Sequence, residues 1–216
     1  MKVVNPEIEV VFHTPEGFDS FEQFIEYCGR TCYKSEDKIT EESAPKFVRM
    51  LRDRGHHAML EFGYATARIS ADRGLTHELV RHRLCSFAQE STRFCNYSKG
   101  KFGEEITVVE QPGIETEECQ KIWHETMWYI EEAYLRLIDR GVKPEIARSV
   151  LPIGLKSEIN IGCNLREWRH IFQMRCSKKA HPIIRGVMLE ALRIFVDRIP
   201  AVYEDLAEKF LEDDNG

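Results

Sequence analysis

The densest run of chemically able side chains is Arg81-His82-Arg83-Leu84-Cys85-Ser86-Phe87-Ala88-Gln89-Glu90-Ser91-Thr92-Arg93-Phe94. Its arginines are planar, permanently charged forks suited to phosphates and to carbonyl edges. Ser86, Ser91 and Thr92 add hydroxyls, and Gln89 can donate and accept at once, as the edge of a heteroaromatic base requires. His82 stands between two arginines, so like charge disfavours its protonation and a neutral ring is expected. Ser91 lacks the flanking glycines of a nucleophile elbow, and no Asp or second His lies in the run; a binding hydroxyl is the favoured reading. Cys85, Cys95 and Cys176 are the nearby candidates for a cysteine nucleophile, and the electropositive stretch around Cys85 could lower its pKa. Buried structural cysteine is the commoner case. Composition alone leaves a solvated basic loop equally open.

The elements around this run are legible from periodicity. Helical spacing over residues 18–33 and 42–54, with Gly55 as a cap, is followed by an alternating strand over 61–70 and a helix over 75–83. The basic run should then be a helix end plus loop. A short strand is expected at 105–109. A long helix follows over about 115–140, with Ile122, Thr126, Ile130, Ala133 and Leu137 as its inner stripe and Gly141 at its end. Pro144 suits the first position of a short helix that Pro152 ends. Residues 154–162 alternate as a strand, and helices are expected at 165–176 and 181–198. The fold class is therefore α+β, a helix-rich single domain over 1–216 around a mixed or antiparallel sheet. Its core spans about 18–200, and residues 211–216 form a polar tail.

The net charge of −6 is uneven: residues 81–101 carry +4, residues 165–185 carry +5, and the remainder carries −15. Two basic islands on an acidic chain point to a focused anion site, with two solvated helix faces as the alternative. A general nucleic-acid binder would be basic overall. No apolar run is long enough for a membrane span, and the N-terminus lacks the pattern of a secretory signal. The odd number of cysteines, irregularly spaced, fits free thiols in a reducing cytoplasm. Neither His56-His57 nor Cys28-x-x-x-Cys32 repeats a zinc spacing, so no metal is expected. Trp123, Trp128 and Trp168 read as core or subunit-interface residues.

Arg81-His82-Arg83 followed after seven residues by Ser91 resembles the signature of the flavin-dependent thymidylate synthases. Gly55-His56 with Glu61, Ala147-Arg148 with Leu151-Pro152, Asn164-Leu165-Arg166, Arg175 and Arg185 follow in the family's order, so the resemblance spans about residues 20–200. It implies that fold, with FAD as cofactor, dUMP as substrate, methylenetetrahydrofolate as one-carbon donor and NADPH as reductant. It also implies a cytoplasmic homotetramer with active sites at its interfaces. By the same resemblance, His56, Arg81, His82, Arg83, Gln89, Asn164, Leu165, Arg166 and His170 would hold FAD. Glu78, Arg81, Gln89, Glu90, Ser91, Thr92, Arg93 and Arg175 would hold dUMP, with Arg148 reaching it from a second subunit. Arg175 would be catalytic, against the uracil edge. Ala58 lacks the hydroxyl common at its position, and His181-Pro182-Ile183 replaces a frequent Gln-Trp-Glu. Two other classes stay open: a non-catalytic phosphate or nucleic-acid module, and a cysteine-dependent transferase using Cys85 or Cys176.

Overall fold

A buried aromatic stack explains why the C-terminal helices form where they do. Helix α6 (Leu165–Arg175) and helix α7 (Pro182–Arg198) bring Trp168, Phe172 and Phe195 together. Phe195 lies with its ring centroid 4.9 Å from Trp168, 5.1 Å from Phe172 and 5.1 Å from Tyr203. Each polar handle in the stack is satisfied: the Trp168 indole donates to the Ala65 carbonyl at 3.1 Å and the Tyr203 hydroxyl to the Leu165 carbonyl at 3.0 Å. Tyr203 belongs to α8 (Pro200–Phe210), a helix that periodicity did not disclose, because only Ile199 separates Pro200 from the end of α7. The buried Arg169 joins α6 to α8 through a bidentate pair with Asp205 at 2.7 and 2.6 Å, and it also donates to the Val202 carbonyl.

The computed structural model describes residues 1–100, 103 and 105–212. Lys101, at the end of the first basic island, and residues 213–216 of the expected polar tail lie outside them. The chain divides into two compact units. The first comprises residues 1–7, 69–81 and 87–159; the second comprises 8–68, 82–86 and 160–216. Among the described residues no helix is long and apolar enough to cross a membrane.

The second unit holds the aromatic stack. It contains most of β2 (Glu7–Phe12), the start of β3 (Tyr64–Asp72) and the end of β6 (Lys156–Asn164), with β3 between the other two. Helices α1 (Phe21–Tyr33) and α2 (Ser43–Asp53) pack on one another and α2 packs on α8. Between α2 and β3 the residues expected to begin a strand form a 3-10 helix, His57–Phe62. Gly63 must be glycine, since a Cβ there would stand 2.4 Å from a Leu165 methyl.

The first unit contains the rest of β3 and β6, with β6 between β3 and β4 (Ser86–Gln89), and helix α3 (Arg73–Leu79). It also has β1 (Lys2–Val4) paired in parallel with β5 (Thr107–Val109), helix α4 (Glu117–Asp139) and helix α5 (Pro144–Ala147). Its core is Tyr97, Ile106, Val108, Met127, Tyr134, Ala147 and Leu155.

Three expectations need correction here. Residues 86–89 of the basic run are a strand rather than loop: the pairing partner is β6, far away in sequence, and the Glu90 N–H continues the ladder to the Glu158 carbonyl at 2.8 Å. Helix α3 stops at Leu79, short of Arg81. The inner stripe of α4 is Met127, Glu131 and Tyr134, while Ile122, Thr126 and Ala133 are exposed. A glutamate reads as an outward residue in sequence. Here its buried carboxylate accepts the Ile106 N–H at 2.8 Å, so the stripe turns by one position. Gly141 ends the helix as expected, at φ +84°.

Candidate active site

In the first unit, the site begins with the start of α3. Asp72 caps the helix by accepting the Leu75 N–H at 2.7 Å, and the Arg73 N–H meets the carbonyls of Ile153 and Leu155, each at 3.1 Å. Arg73 is thereby pinned at the rim of a pocket of about 500 Å³ lined also by Thr92, Glu145, Ile146, Arg148 and Ser149. An adjoining recess of about 230 Å³ shares Arg73, Thr92 and Arg148 and adds His77. Arg148 donates to the Thr92 hydroxyl at 3.3 Å, and Arg93 donates to Glu145 at 3.2 Å. Two guanidiniums and a hydroxyl around one cavity could hold an anion, and the exposed Arg93–Glu145 pair can open at little cost.

The remaining substrate-side expectations also fall in this unit, with different freedoms. Ser91 heads a turn whose carbonyl takes the N–H groups of Phe94 and Cys95 at 3.0 and 2.9 Å, and its hydroxyl accepts the Arg93 N–H at 3.3 Å. Gln89 gives its amide hydrogens to Thr76 at 2.9 Å and Ser157 at 3.2 Å, which fixes the side chain. Glu90 accepts from the Tyr97 phenol at 3.1 Å, with the Lys156 ammonium 3.9 Å away. Burial and the Glu90 carboxylate push the Tyr97 phenol far up, so it stays a donor. Glu78 sits half-buried on α3, where its carbonyl accepts the Arg81 N–H at 3.3 Å, and the Arg81 side chain is exposed.

In the second unit, Asn164 caps α6 by accepting the Glu167 N–H at 2.9 Å. A pocket of about 550 Å³ opens there, lined by Glu61, Leu84, Asn164, Arg166, Glu167 and His170. Arg166 meets Glu61 at 2.6 Å; Leu84 and Arg83 are exposed. His56 stands apart from that lining, hydrogen-bonded to the Tyr33 hydroxyl at 3.1 Å. Leu165 has a fully buried side chain, its N–H donates to the Gly63 carbonyl, and its carbonyl accepts from the Tyr203 hydroxyl.

Arg175 ends α6 and donates its Nε–H to His82 Nε2 at 3.1 Å. His82 is buried, with Nδ1 3.6 Å from a Glu167 carboxylate oxygen and its ring 5.8 Å from that of His170. Burial lowers the His82 pKa from 6.5 to about 4, helped by Arg175 and then His170. The neutral ring expected from sequence is thus present, though burial rather than Arg81 and Arg83 is the main cause. Ligand atoms of His82, Glu167 and His170 lie within 4.8 Å of one another, a donor set that linear spacing did not disclose. The Arg175 guanidinium on the same imidazole opposes a further cation there. Cys176, one of the candidate nucleophiles, is fully buried, and burial of that kind keeps a thiol inert.

His82 also sets a pH dependence. Its folded pKa lies below its unfolded value, so its neutral form adds stability that is present above pH 6.5 and lost as pH falls toward 4. Between pH 7 and 5 the loss should be roughly 1–2 kcal/mol after discounting for solvent at the pocket mouth. Urea denaturation should show this loss in the wild type beyond that in His82→Gln. Parallel pH curves for the two proteins would remove this role for His82.

Arg73 and Glu167 are the residues that motif reading missed. The only available signals were Asp72-Arg73 at a strand-to-helix junction and Glu167 three residues before His170 on one helix face.

The first unit thus carries a recess lined by arginine and hydroxyl groups, and the second a histidine and carboxylate pocket beside a tethered arginine. The family described as "Thymidylate synthase complementing protein" matches residues 10–201. A "Flavin-dependent thymidylate synthase" of Corynebacterium diphtheriae is 31% identical, over 94% of this chain and 88% of its own. One from Mycolicibacterium vanbaalenii is 34% identical, over 88% and 81%. In fold, the chain is similar to the UMP/dUMP methylase PolB from Streptomyces cacaoi, solved with 5-Br dUMP, at a TM-score of 0.77 and 22% identity over 97% and 98% of the two chains. The chain belongs to the flavin-dependent thymidylate synthase family.

Proposed function

We infer that this chain is an FAD-dependent thymidylate synthase that methylates dUMP to dTMP, with methylenetetrahydrofolate as one-carbon donor and NADPH as reductant. The observation that carries the reading is the pairing of family membership with an Arg175 held by a buried neutral imidazole. The donor set fits FAD: exposed Arg83 and Arg166 can meet its phosphates, and Asn164 and His170 offer hydrogen bonds at the pocket wall. His56 and Arg81 complete the proposed set, with Gln89 shared between cofactor and substrate. When bound, FAD supplies the hydride chemistry that side chains lack.

The protein's own contribution is binding, orientation and charge. Arg73, Arg148 and Thr92 would grip the 5′-phosphate, with Arg93 released from Glu145 as the anion enters. Ser91 and Glu90 would shape the nucleotide's position, and Glu78 would lie beside them. Arg175 would stabilise negative charge developing at the uracil imide, which makes ring carbon 5 a better nucleophile. Arg175 needs no proton of its own for this, since it stays charged. His82, neutral at physiological pH, leaves the field of that cation undiminished.

We take residues 1–216 as one functional domain acting in a cytoplasmic homotetramer, without nucleic acid or membrane. Exposed Ile122 and Tyr129, seven residues apart on one face of α4, support a subunit contact, since exposed apolar patches mark interaction surfaces. Purified protein should be yellow, or become so with added FAD, and its flavin band should bleach with NADPH. Intact, folded protein that takes up no FAD would end this reading.

A further inference from the structure

We propose that Glu167 is a positioning residue that fixes the tautomer of His82 and, through it, the aim of the Arg175 guanidinium. The inference rests on the function proposed above and adds a residue to it.

Donors and acceptors decide the tautomer. Arg175 Nε carries a hydrogen under all ordinary conditions and lies 3.1 Å from His82 Nε2, so that nitrogen must present its lone pair. A neutral imidazole has one N–H, and it must then be on Nδ1. Nδ1 is the nitrogen that faces Glu167, 3.6 Å from a carboxylate oxygen. That separation exceeds a formed hydrogen bond, and catalytic contacts of this kind tighten when a ligand closes the site. Both Glu167 and His82 are buried, and the Asn164 cap anchors the start of α6 by accepting the Glu167 N–H at 2.9 Å. With the opposite tautomer, Nε2–H would confront Arg175 Nε–H, donor against donor, and the guanidinium would have to turn away. The Arg175–His82 bond therefore sets one hydrogen-bonding direction, and it leaves Nδ1–H aimed at the Glu167 carboxylate. A second cation here would have to share the imidazole with Arg175.

The test combines ¹⁵N-histidine NMR with kinetics on flavin-saturated enzyme, the His82 signal being assigned by its loss in His82→Gln. Wild type should show the Nδ1–H tautomer. Glu167→Ala should show it mixed or reversed, with turnover lowered about 10- to 100-fold, as when a carboxylate orienting a histidine is removed, and KM for dUMP nearly unchanged. Glu167→Gln, whose amide oxygen still accepts from Nδ1–H, should restore both the tautomer and most of the turnover. A merely structural glutamate would lower the melting temperature without moving the tautomer. An Nε2–H tautomer in wild type overturns the proposal, as does wild-type turnover in flavin-saturated Glu167→Ala. If Glu167→Ala fails to fold, the wild-type tautomer and Glu167→Gln decide the matter. Should Arg175→Ala keep full turnover, the functional reading fails, and the tautomer measurement still reports separately on Glu167.

Discussion

Arg175→Ala is expected to keep its fold and its flavin while losing about 10²- to 10³-fold in turnover, the range for removal of one preorganised charge stabiliser. The fold should survive because Arg175 is the last residue of α6, where the helix dipole adds about 1 kcal/mol and the bond to His82 about 1 kcal/mol more, a small part of a domain's stability. Flavin should stay because Arg175 is not among the residues lining the pocket formed by Leu84, Asn164, Arg166 and His170. Its loss should appear in turnover more than in KM for dUMP, since its proposed partner is charge that develops during the reaction. Arg175→Lys separates charge from shape. An ammonium keeps the charge but cannot both donate to His82 Nε2 and present a planar fork, so only partial recovery is expected. Methylation rates at saturating dUMP and FAD decide it, and unchanged turnover in the alanine variant removes Arg175 from the chemistry.

How much of this was legible beforehand depends on whether the information was local. Helices α1, α2, α4 and α7 carry stripes or caps within their own segments, and each was found within a few residues of its bounds. Strand β4 is defined by its partner β6 far along the chain, and its local letters, basic and polar around Ser86–Gln89, read as loop. The stripe of α4 turned by one position because Glu131 is buried for its acceptor, which composition cannot announce. Strands β1 and β2 and helix α8 were not anticipated. Strand β1 is only three residues long, and α8 follows α7 so closely that the two read as one continuing region.

The candidate site divides in the same way. The Arg81-His82-Arg83 and Ser91 spacing marks the stretch, yet it does not say that His82 turns inward while Arg81 and Arg83 turn outward. That difference is a property of burial, and it decides which of the three can shape the electrostatics of Arg175. Leu165 shows the converse: sitting inside a motif, it serves the core. Arg73 and Glu167 act through contacts made by folding, with residues about 80 positions away in both cases, at Ile153 and Leu155 and at His82.

Arg148→Ala should raise the dissociation constant for dUMP about 10- to 100-fold, because hydrogen bonds to charged groups contribute about 1.5–3 kcal/mol each. This residue lines both recesses of the first unit and donates to Thr92 at 3.3 Å, which makes it central to the proposed phosphate grip. Deoxyuridine, which lacks the phosphate, should bind wild type and variant alike, which ties the loss to the anion. The affinity of wild type for dUMP should fall as salt rises, and the variant should show a shallower dependence. The same variant tests the assembly. If Arg148 serves a neighbouring subunit's site, then Arg148→Ala mixed with Arg175→Ala should regain activity after subunit exchange, since some interfaces will pair one intact Arg148 with one intact Arg175. Each variant alone stays impaired at every site, so recovery cannot come from either parent. Exchange verified by mass, without any recovery, would place both arginines in the service of a single chain's site and remove the shared-site reading.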